Sequence, residues 1–131
     1  AVWINPDQAS FFELPRAALS RVMAVPPADH DLPGTFYYSD LDRLVRDLDA
    51  ASFELDQSET MEVDVIEVAS DDELIAWARA FGMSRMLQHA STEQQSAWED
   101  ELVRAAVPYR TAEGPIRPLS DLTLSGRRNV I

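Results

Sequence analysis

The residues with the clearest chemical potential lie in and just after a proline-rich stretch. His30 and Asp31 are adjacent, and a neighbouring carboxylate can tune an imidazole toward general-base catalysis. Tyr37 and Tyr38 follow, and a phenol hydroxyl can orient a ligand or donate a proton. We take these four residues as the candidate catalytic set. The alternatives stay open: His30 as a solvated loop residue, and the tyrosines as one core residue and one surface residue.

Other kinds of chemistry find little support in the sequence. The second histidine, His89, falls near a predicted helix end, where the helix dipole favours a cation. No spacing groups His30, Asp31 and His89 as metal ligands, so we expect no metal site. The chain has no cysteine, which removes disulfides, thiolate nucleophiles and cysteine-based metal sites. No Ser-His-Asp or phosphate-loop pattern is present.

Charge and hydropathy restrict the partners. The 131 residues include 23 acidic and 11 basic ones, all arginine, for a net charge of −12. An acidic surface argues against nucleic acid and against anionic membranes. No apolar run approaches the roughly 20 residues of a membrane span. Asn5, Pro6 and Asp7 interrupt any signal peptide, so we predict a cytoplasmic protein.

The elements that must position these residues follow from periodicity. Residues 1–5 indicate a short strand, and apolar spacing predicts a helix over Phe11–Val25 in which Pro15 occupies the first turn. A second amphipathic helix is predicted to begin at Ser39, with an acidic capping box to Asp42. Its apolar stripe should pack on a sheet or another helix. That stripe consists of Leu41, Leu44, Val45 and Leu48.

The second half of the chain continues this alternation of strands and helices. Met61, Val63 and Val65 predict a strand whose phase slips at Ile66. Capping boxes predict two helix starts, one at Ser70 with Glu73 and one at Thr92 with Gln95. Gly82 is expected to end the first of these helices and Pro108 the second, and Leu122 and Leu124 mark a last strand. We predict a single domain over residues 1–131 of the α/β class, α+β-like, with helices on a small three-stranded sheet.

In this order, the segments resemble the C-terminal half of class I S-adenosylmethionine-dependent methyltransferases that act on small molecules, a Rossmann-like fold. VWINP resembles the end of the fifth strand, FFELPRAALSRV the lid helix, and MEVDVIEV and LTLSGRRNV the sixth and seventh strands. PPADHDLPGTFYYSDLDRLVRDLDAASF resembles the proline-rich loop and the helix that ends in AAGF, with Ser52 in place of the usual glycine. DDELIAWARAFGMSRML and TEQQSAWEDELVRAAVPYRTAEG resemble the helical insertion that lines the acceptor pocket.

The resemblance implies a set of ligand-binding residues. The family places the positions of Trp3 and Asn5 toward cofactor and acceptor, and Phe12 lies in the lid helix. The insertion would contribute Phe81, Met83, Met86 and Trp98, although such residues more often belong to a core. Methionine is adaptable enough to line an apolar pocket.

The family's cofactor half has no counterpart in this chain. A glycine-rich loop lets the backbone approach the cofactor closely, but the four glycines here, Gly34, Gly82, Gly114 and Gly126, form no G-x-G. We therefore expect this chain to bind no cofactor by itself. It would take part in binding S-adenosylmethionine only if a partner supplied the missing half.

Three functions remain open for such a chain. It could be a module that binds a small natural-product-type molecule or a partner subunit, as a homodimer or heteromer through the exposed sheet edge of Ala1–Ile4. It could be a cofactor-independent cyclase, isomerase or eliminating enzyme that positions a reactive molecule in the former acceptor pocket. It could also be a fragment of an intact methyltransferase.

Overall fold

The computed structural model describes residues 2–4, 10–64, 66–117 and 119–128. Helices and strands are mixed along the chain, which confirms the predicted class at that level. The strands are β1 (Val2–Ile4), β2 (Phe53–Asp64) and β3 (Leu119–Arg128). The helices are α1 (Ser10–Ser20), α2 (Leu41–Ala50), α3 (Asp71–Ala78), α4 (Ser84–Leu87) and α5 (Thr92–Ala105).

The chain divides into two compact units. The strand unit takes its described residues from the ranges 1–9, 28–63 and 120–131, and the helical unit takes its own from 10–27 and 64–119. In the strand unit the strand order is β1-β3-β2. β1 and β3 are antiparallel, with Trp3 opposite Leu122.

The core of the helical unit lies among α1, α3, α4 and α5. Its largest fully buried side chains are Trp98, Leu19, Leu74, Leu102 and Ile116. The backbones of Val68 and Ile116 exchange two hydrogen bonds of 3.0 and 2.8 Å. These bonds join the segment before α3 to the segment after α5, and both side chains belong to the core. Burial of these apolar side chains is the main stabilising term for this unit.

Helix α1 differs from its prediction in the residue at which it ends and in the position of Pro15 within it. It ends at Ser20 and not at Val25, because the N–H groups of Val22 and Met23 both donate to the Leu19 carbonyl and close a turn. Pro15 lies in the middle of the helix and not in its first turn. Proline there removes one helical hydrogen bond, because it has no N–H to donate to the carbonyl four residues earlier. Its own carbonyl accepts a 2.9 Å bond from the indole Nε1 of Trp98.

The start of α2 is shifted by one residue from its prediction. Asp40 is the N-cap, and its carboxylate accepts from the N–H groups of Asp42 and Arg43. The Ser39 hydroxyl instead donates to the Phe36 carbonyl at 2.7 Å. Serine and aspartate are both good N-caps, so composition alone does not choose between neighbouring candidates.

The N-caps of α3 and α5 lie at, or one residue before, their predicted positions. Ser70 caps α3 as predicted, by accepting from the Glu73 N–H, but the Glu73 carboxylate accepts from the Ala69 N–H at 2.8 Å and not from that of Ser70. The capping box of α5 pairs Ser91 with Gln94, one residue before the predicted pair of Thr92 and Gln95.

Two other helix and strand boundaries were also wrong in the sequence analysis. Gly82 does not end a helix, because the chain continues through a π-helical turn, Arg79–Met83, directly into α4. Strand β2 begins at Phe53, well before Met61. Ser52, the second of the two residues between α2 and β2, has a φ of 63°, in the left-handed region that favours glycine. Pro108 lies in the 3-10 turn Val107–Tyr109 just after α5, close to its predicted place.

Candidate ligand pocket

The four predicted catalytic residues lie in the strand unit, around the side chain of Arg43. His30 is half-buried, and its ring meets Phe36 edge-to-face with centroids 5.4 Å apart. The Asp31 carboxylate, 83% exposed, forms an ion pair of 2.6 Å with Arg43. The carboxylate that was expected to tune His30 is therefore engaged by a guanidinium.

Arg43 fastens the loop of residues 30–37 to the first turn of α2. One of its terminal nitrogens donates to the carbonyls of His30 and Tyr37 at 3.2 and 3.0 Å. Its guanidinium also lies over the Tyr37 ring, 4.5 Å from the centroid. The hydrogen bond to Asp31 raises the pKa of Arg43, so the charge that holds the loop is retained. Sequence analysis missed this residue, since an arginine on a polar helix face gives no signal of a loop contact.

Tyr38 is also engaged within the chain. Its hydroxyl donates to the Asp47 carboxylate at 3.0 Å, and this bond raises the pKa of Tyr38 above its ordinary value. Its ring contacts Tyr37 edge-to-face, with centroids 5.0 Å apart. A phenol held protonated by its own helix is a poor proton donor at neutral pH. This arrangement positions the loop more than it offers a reaction centre.

The predicted ligand-binding residues are dispersed over the two units. Trp3 lies in β1 and Phe12 in α1, both half-buried, and Asn5 lies outside the described residues. Trp98 and Met83 belong to the buried core of the helical unit. Phe81 is 58% exposed and stacks on Trp77 with centroids 6.1 Å apart. Met86, the remaining member of this set, lines a cavity.

That cavity, which we call the α1–α4 pocket, has a volume of about 260 Å³. All of its lining belongs to the helical unit. One wall comes from the end of α1 and the segment after it, and the other comes from α4 and the turn that follows. The lining residues are Leu19, Met23, Ala24, Val25, Pro26, Met86 and His89.

The first wall is held in place by short-range hydrogen bonds. The Met23 N–H donates to the Leu19 carbonyl at 3.0 Å, which turns the chain back at the end of α1. The Arg16 guanidinium donates to the Pro26 carbonyl, ten residues later. Proline has no N–H and a fixed φ, so this contact and the two prolines at 26 and 27 restrict the wall.

The second wall is a tight turn fixed from α5. The N–H groups of His89 and Ala90 donate to the carbonyls of Met86 and Leu87 at 3.2 and 3.1 Å. The Gln95 side-chain amide then donates to the carbonyls of Leu87 and Ala90, at 3.1 and 3.3 Å. Gln95 therefore holds the backbone on both sides of His89, and the imidazole is carried on a rigid support.

The chemistry of the α1–α4 pocket is mostly apolar. Two thioethers, a proline ring and aliphatic side chains form its surface, and the exposed imidazole of His89 is its one ionisable side chain. Such a lining suits a compact molecule with an apolar body, held by dispersion and by removal of its surface from water. Sequence analysis included Met23 within the predicted helix Phe11–Val25 and gave His89 a helix-end role. It did not bring the two together, because their meeting depends on the turns after α1 and α4.

A second cavity of about 250 Å³ lies beside Arg79 and Gln95. The Arg79 guanidinium donates to Glu99 at 2.5 and 3.1 Å and to Gln95 at 3.2 Å, and it lies 5.3 Å from the centre of the Trp98 ring. These contacts join the π-helical turn to α5, so the arginine has a structural role there.

Neither a metal-binding cluster nor a membrane-spanning helix is found in the described residues. No group of three or more His, Cys, Asp or Glu side chains in residues 2–4, 10–64, 66–117 and 119–128 could hold a metal ion. Within the same part of the chain, no helix combines the length and apolar character needed to cross a bilayer.

No known protein family, curated protein or solved structure matches this chain.

Proposed function

We propose that this chain is the acceptor-binding part of a methyltransferase-like protein, and that it binds a small molecule in the α1–α4 pocket. The observation that carries the proposal is the pocket itself: a rigid apolar cavity with one polar group at its edge, the usual composition of a small-molecule site. One lining residue of each wall lies in a segment that resembles a part of the family fold: Leu19 in the segment that resembles the lid helix, and Met86 in the segment that resembles the helical insertion, which lines the acceptor pocket.

A second observation supports the resemblance. Ser52 stands where the family's AAGF ending has glycine, and its φ of 63° is a conformation that glycine adopts without steric cost. The local backbone therefore has a conformation that suits the glycine of the family motif, although the residue type differs.

The same proposal assigns S-adenosylmethionine to another polypeptide or to another part of a longer one. The four glycines of this sequence form no G-x-G, so it lacks the loop that lets a backbone approach the cofactor closely. β1 is an outer strand in the order β1-β3-β2, and an outer strand is where a further strand can pair. We expect calorimetric titration of the chain with S-adenosylmethionine to show no binding, and tight binding would contradict this assignment.

Methyl-labelled methionine gives a direct test of the pocket. The chain has four methionines, of which Met23 and Met86 line the pocket, while Met61 lies in the strand unit. On titration with 1-naphthol, we expect the carbon-13 methyl signals of Met23 and Met86 to shift and that of Met61 to stay in place.

A pair of alanine variants controls for non-specific binding. Ala24 and Ala112 are both exposed, but only Ala24 lines the pocket. Ala24→Phe should fill part of the cavity and weaken 1-naphthol binding at least tenfold, whereas Ala112→Phe should leave it unchanged. Equal effects of the two substitutions, or no methionine shift at saturating probe, would overturn the proposed function.

A further inference from the structure

We infer that the α1–α4 pocket selects a compact aromatic molecule with a neutral hydroxyl group, and that His89 determines this specificity by a hydrogen bond to the hydroxyl. The inference rests on the proposed function, since it names the chemical class that the same pocket takes. It follows from the size of the pocket, the nature of its walls and the position of its one imidazole.

The size of the cavity limits the ligand. Pockets for drug-sized ligands span about 300–1,000 Å³, and this one is smaller, at about 260 Å³. The walls are also pinned, by the bond from Arg16 to the Pro26 carbonyl on one side and by Gln95 on the other. A pinned wall does not expand easily around a larger guest, so the occupant has one or two fused rings.

The walls favour an aromatic over an aliphatic body. Met23 and Met86 lie in the lining, and a thioether sulfur gains about 0.3–1.5 kcal/mol from contact with an aromatic ring beyond simple burial. A saturated ring system of the same carbon skeleton would displace the same water but would lack this contact.

The position of His89 determines where the polar group of the ligand lies and which type of group fits there. The imidazole is exposed while Leu19 at the opposite wall is fully buried, so a ligand enters with its apolar end first and keeps its polar end near solvent. There, one imidazole nitrogen can donate to or accept from a hydroxyl. The backbone of His89 is fixed by its bond to the Met86 carbonyl, which limits the entropy lost when the ring engages the ligand.

The charge of the chain favours a neutral ligand over an anionic one. The net charge is −12, and a negative surface raises the free energy of an approaching anion. The guanidinium of Arg16 donates to the carbonyl of the lining residue Pro26, so it is already engaged within the chain. A phenol-type hydroxyl therefore fits better than a carboxylate.

A series of four probes with one carbon skeleton tests the inference. We expect 1-naphthol to bind most tightly. The affinities of naphthalene, 1-naphthoate and decahydro-1-naphthol should be lower by a factor of about five or more, because each lacks one favourable hydrogen bond or contact. Calorimetry on the full chain measures these affinities, and the methionine shifts confirm that each probe occupies the pocket.

The two histidines of the chain provide the matched variants. His89→Leu should reduce 1-naphthol affinity to that of naphthalene and leave naphthalene binding unchanged, while His30→Leu, in the strand unit, should change neither. Equal affinities for 1-naphthol and naphthalene in the unaltered chain would overturn the inference and leave the proposed function standing. Equal effects of the two histidine substitutions would do the same, and failure of every probe to shift Met23 and Met86 would overturn both.

Discussion

The helical unit and the strand unit are stabilised in different ways. Five large side chains of the helical unit are fully buried, and Trp98 is the largest of them. Among the strand-unit residues whose side chains the structure describes (2–4 and 28–63), Ile4, Phe36 and Leu44 are buried, each 7–8% exposed, and the hydrogen bonds of Arg43 hold the loop to α2. The helical unit thus depends on apolar burial, whereas the loop of residues 30–37 in the strand unit is held by polar contacts.

This difference explains where a binding pocket can form. A cavity is preserved only where the surrounding side chains cannot collapse into it, which requires a densely packed support. The α1–α4 pocket rests on Leu19, which is fully buried, and is backed by the Gln95 hydrogen bonds. The predicted catalytic residues of the strand unit instead use their polar groups to fasten their own loop.

The largest effect should come from the core of the helical unit. Trp98→Ala should lower the free energy of unfolding by about 3–5 kcal/mol, as large-to-small substitutions of buried aromatic residues do. Trp98→Phe retains most of the apolar volume but leaves the Pro15 carbonyl without its indole donor, so it should cost less, about 1–3 kcal/mol. Urea denaturation followed by far-UV circular dichroism measures both.

The neighbouring tryptophan is the control for this experiment. Trp77 is half-buried and stacks on the exposed Phe81, so Trp77→Phe should change stability by less than Trp98→Phe. If both conservative substitutions had the same cost, the distinction between a buried core and an exposed aromatic pair would be lost.

The sequence predicted the existence and order of most elements because hydrophobic periodicity records which face of each segment is buried. Leu74 and Ala78 on α3 and Trp98 and Leu102 on α5 lie at helical spacing and are all buried. Helix starts were less certain, since Ser39 and Asp40, or Ser91 and Thr92, are adjacent residues of similar capping propensity. The π-helical turn at Arg79–Met83 has no counterpart in a pattern of period 3.6, which is why Gly82 was mistaken for a helix end.

The candidate site was harder to predict for a different reason. Met86 was named from the family resemblance, but Met23 and His89 join it only because two turns, fixed by Leu19 and Gln95, bring distant parts of the chain together. Similarly, because His30 and Asp31 are adjacent in the sequence, we predicted that the carboxylate tunes the imidazole. In the structure the Asp31 carboxylate forms an ion pair with Arg43. Contacts between distant residues leave no periodic signal in a single sequence.

The next largest effect should come from the polar fastening of the strand unit. Arg43→Gln removes the ion pair with Asp31 and the bonds to the carbonyls of His30 and Tyr37. We expect amide hydrogen exchange in residues 30–37 to increase severalfold and the melting temperature to fall by several degrees, with little change in the exchange of α5. Arg46 is an exposed arginine on the same helix, and Arg46→Gln should leave the loop amides unchanged; a matching increase there would show that net charge, not the specific bonds, holds the loop.

The smallest effect concerns a single backbone position and has the opposite sign. Ser52 carries a φ of 63°, which costs a non-glycine residue roughly 1–2 kcal/mol, while glycine costs roughly 0.4–1 kcal/mol through the entropy of the unfolded chain. Ser52→Gly should therefore raise the free energy of unfolding by up to about 1 kcal/mol.

Ser58→Gly, at an exposed position within β2, is the control and should lower the free energy of unfolding by roughly 0.5–1 kcal/mol, because glycine weakens a strand interior. Opposite signs for these two serines, in parallel denaturation curves, would show that the backbone at the junction of α2 and β2 favours glycine, the residue of the family's AAGF ending. Equal losses would remove that support for the resemblance while leaving the pocket untouched.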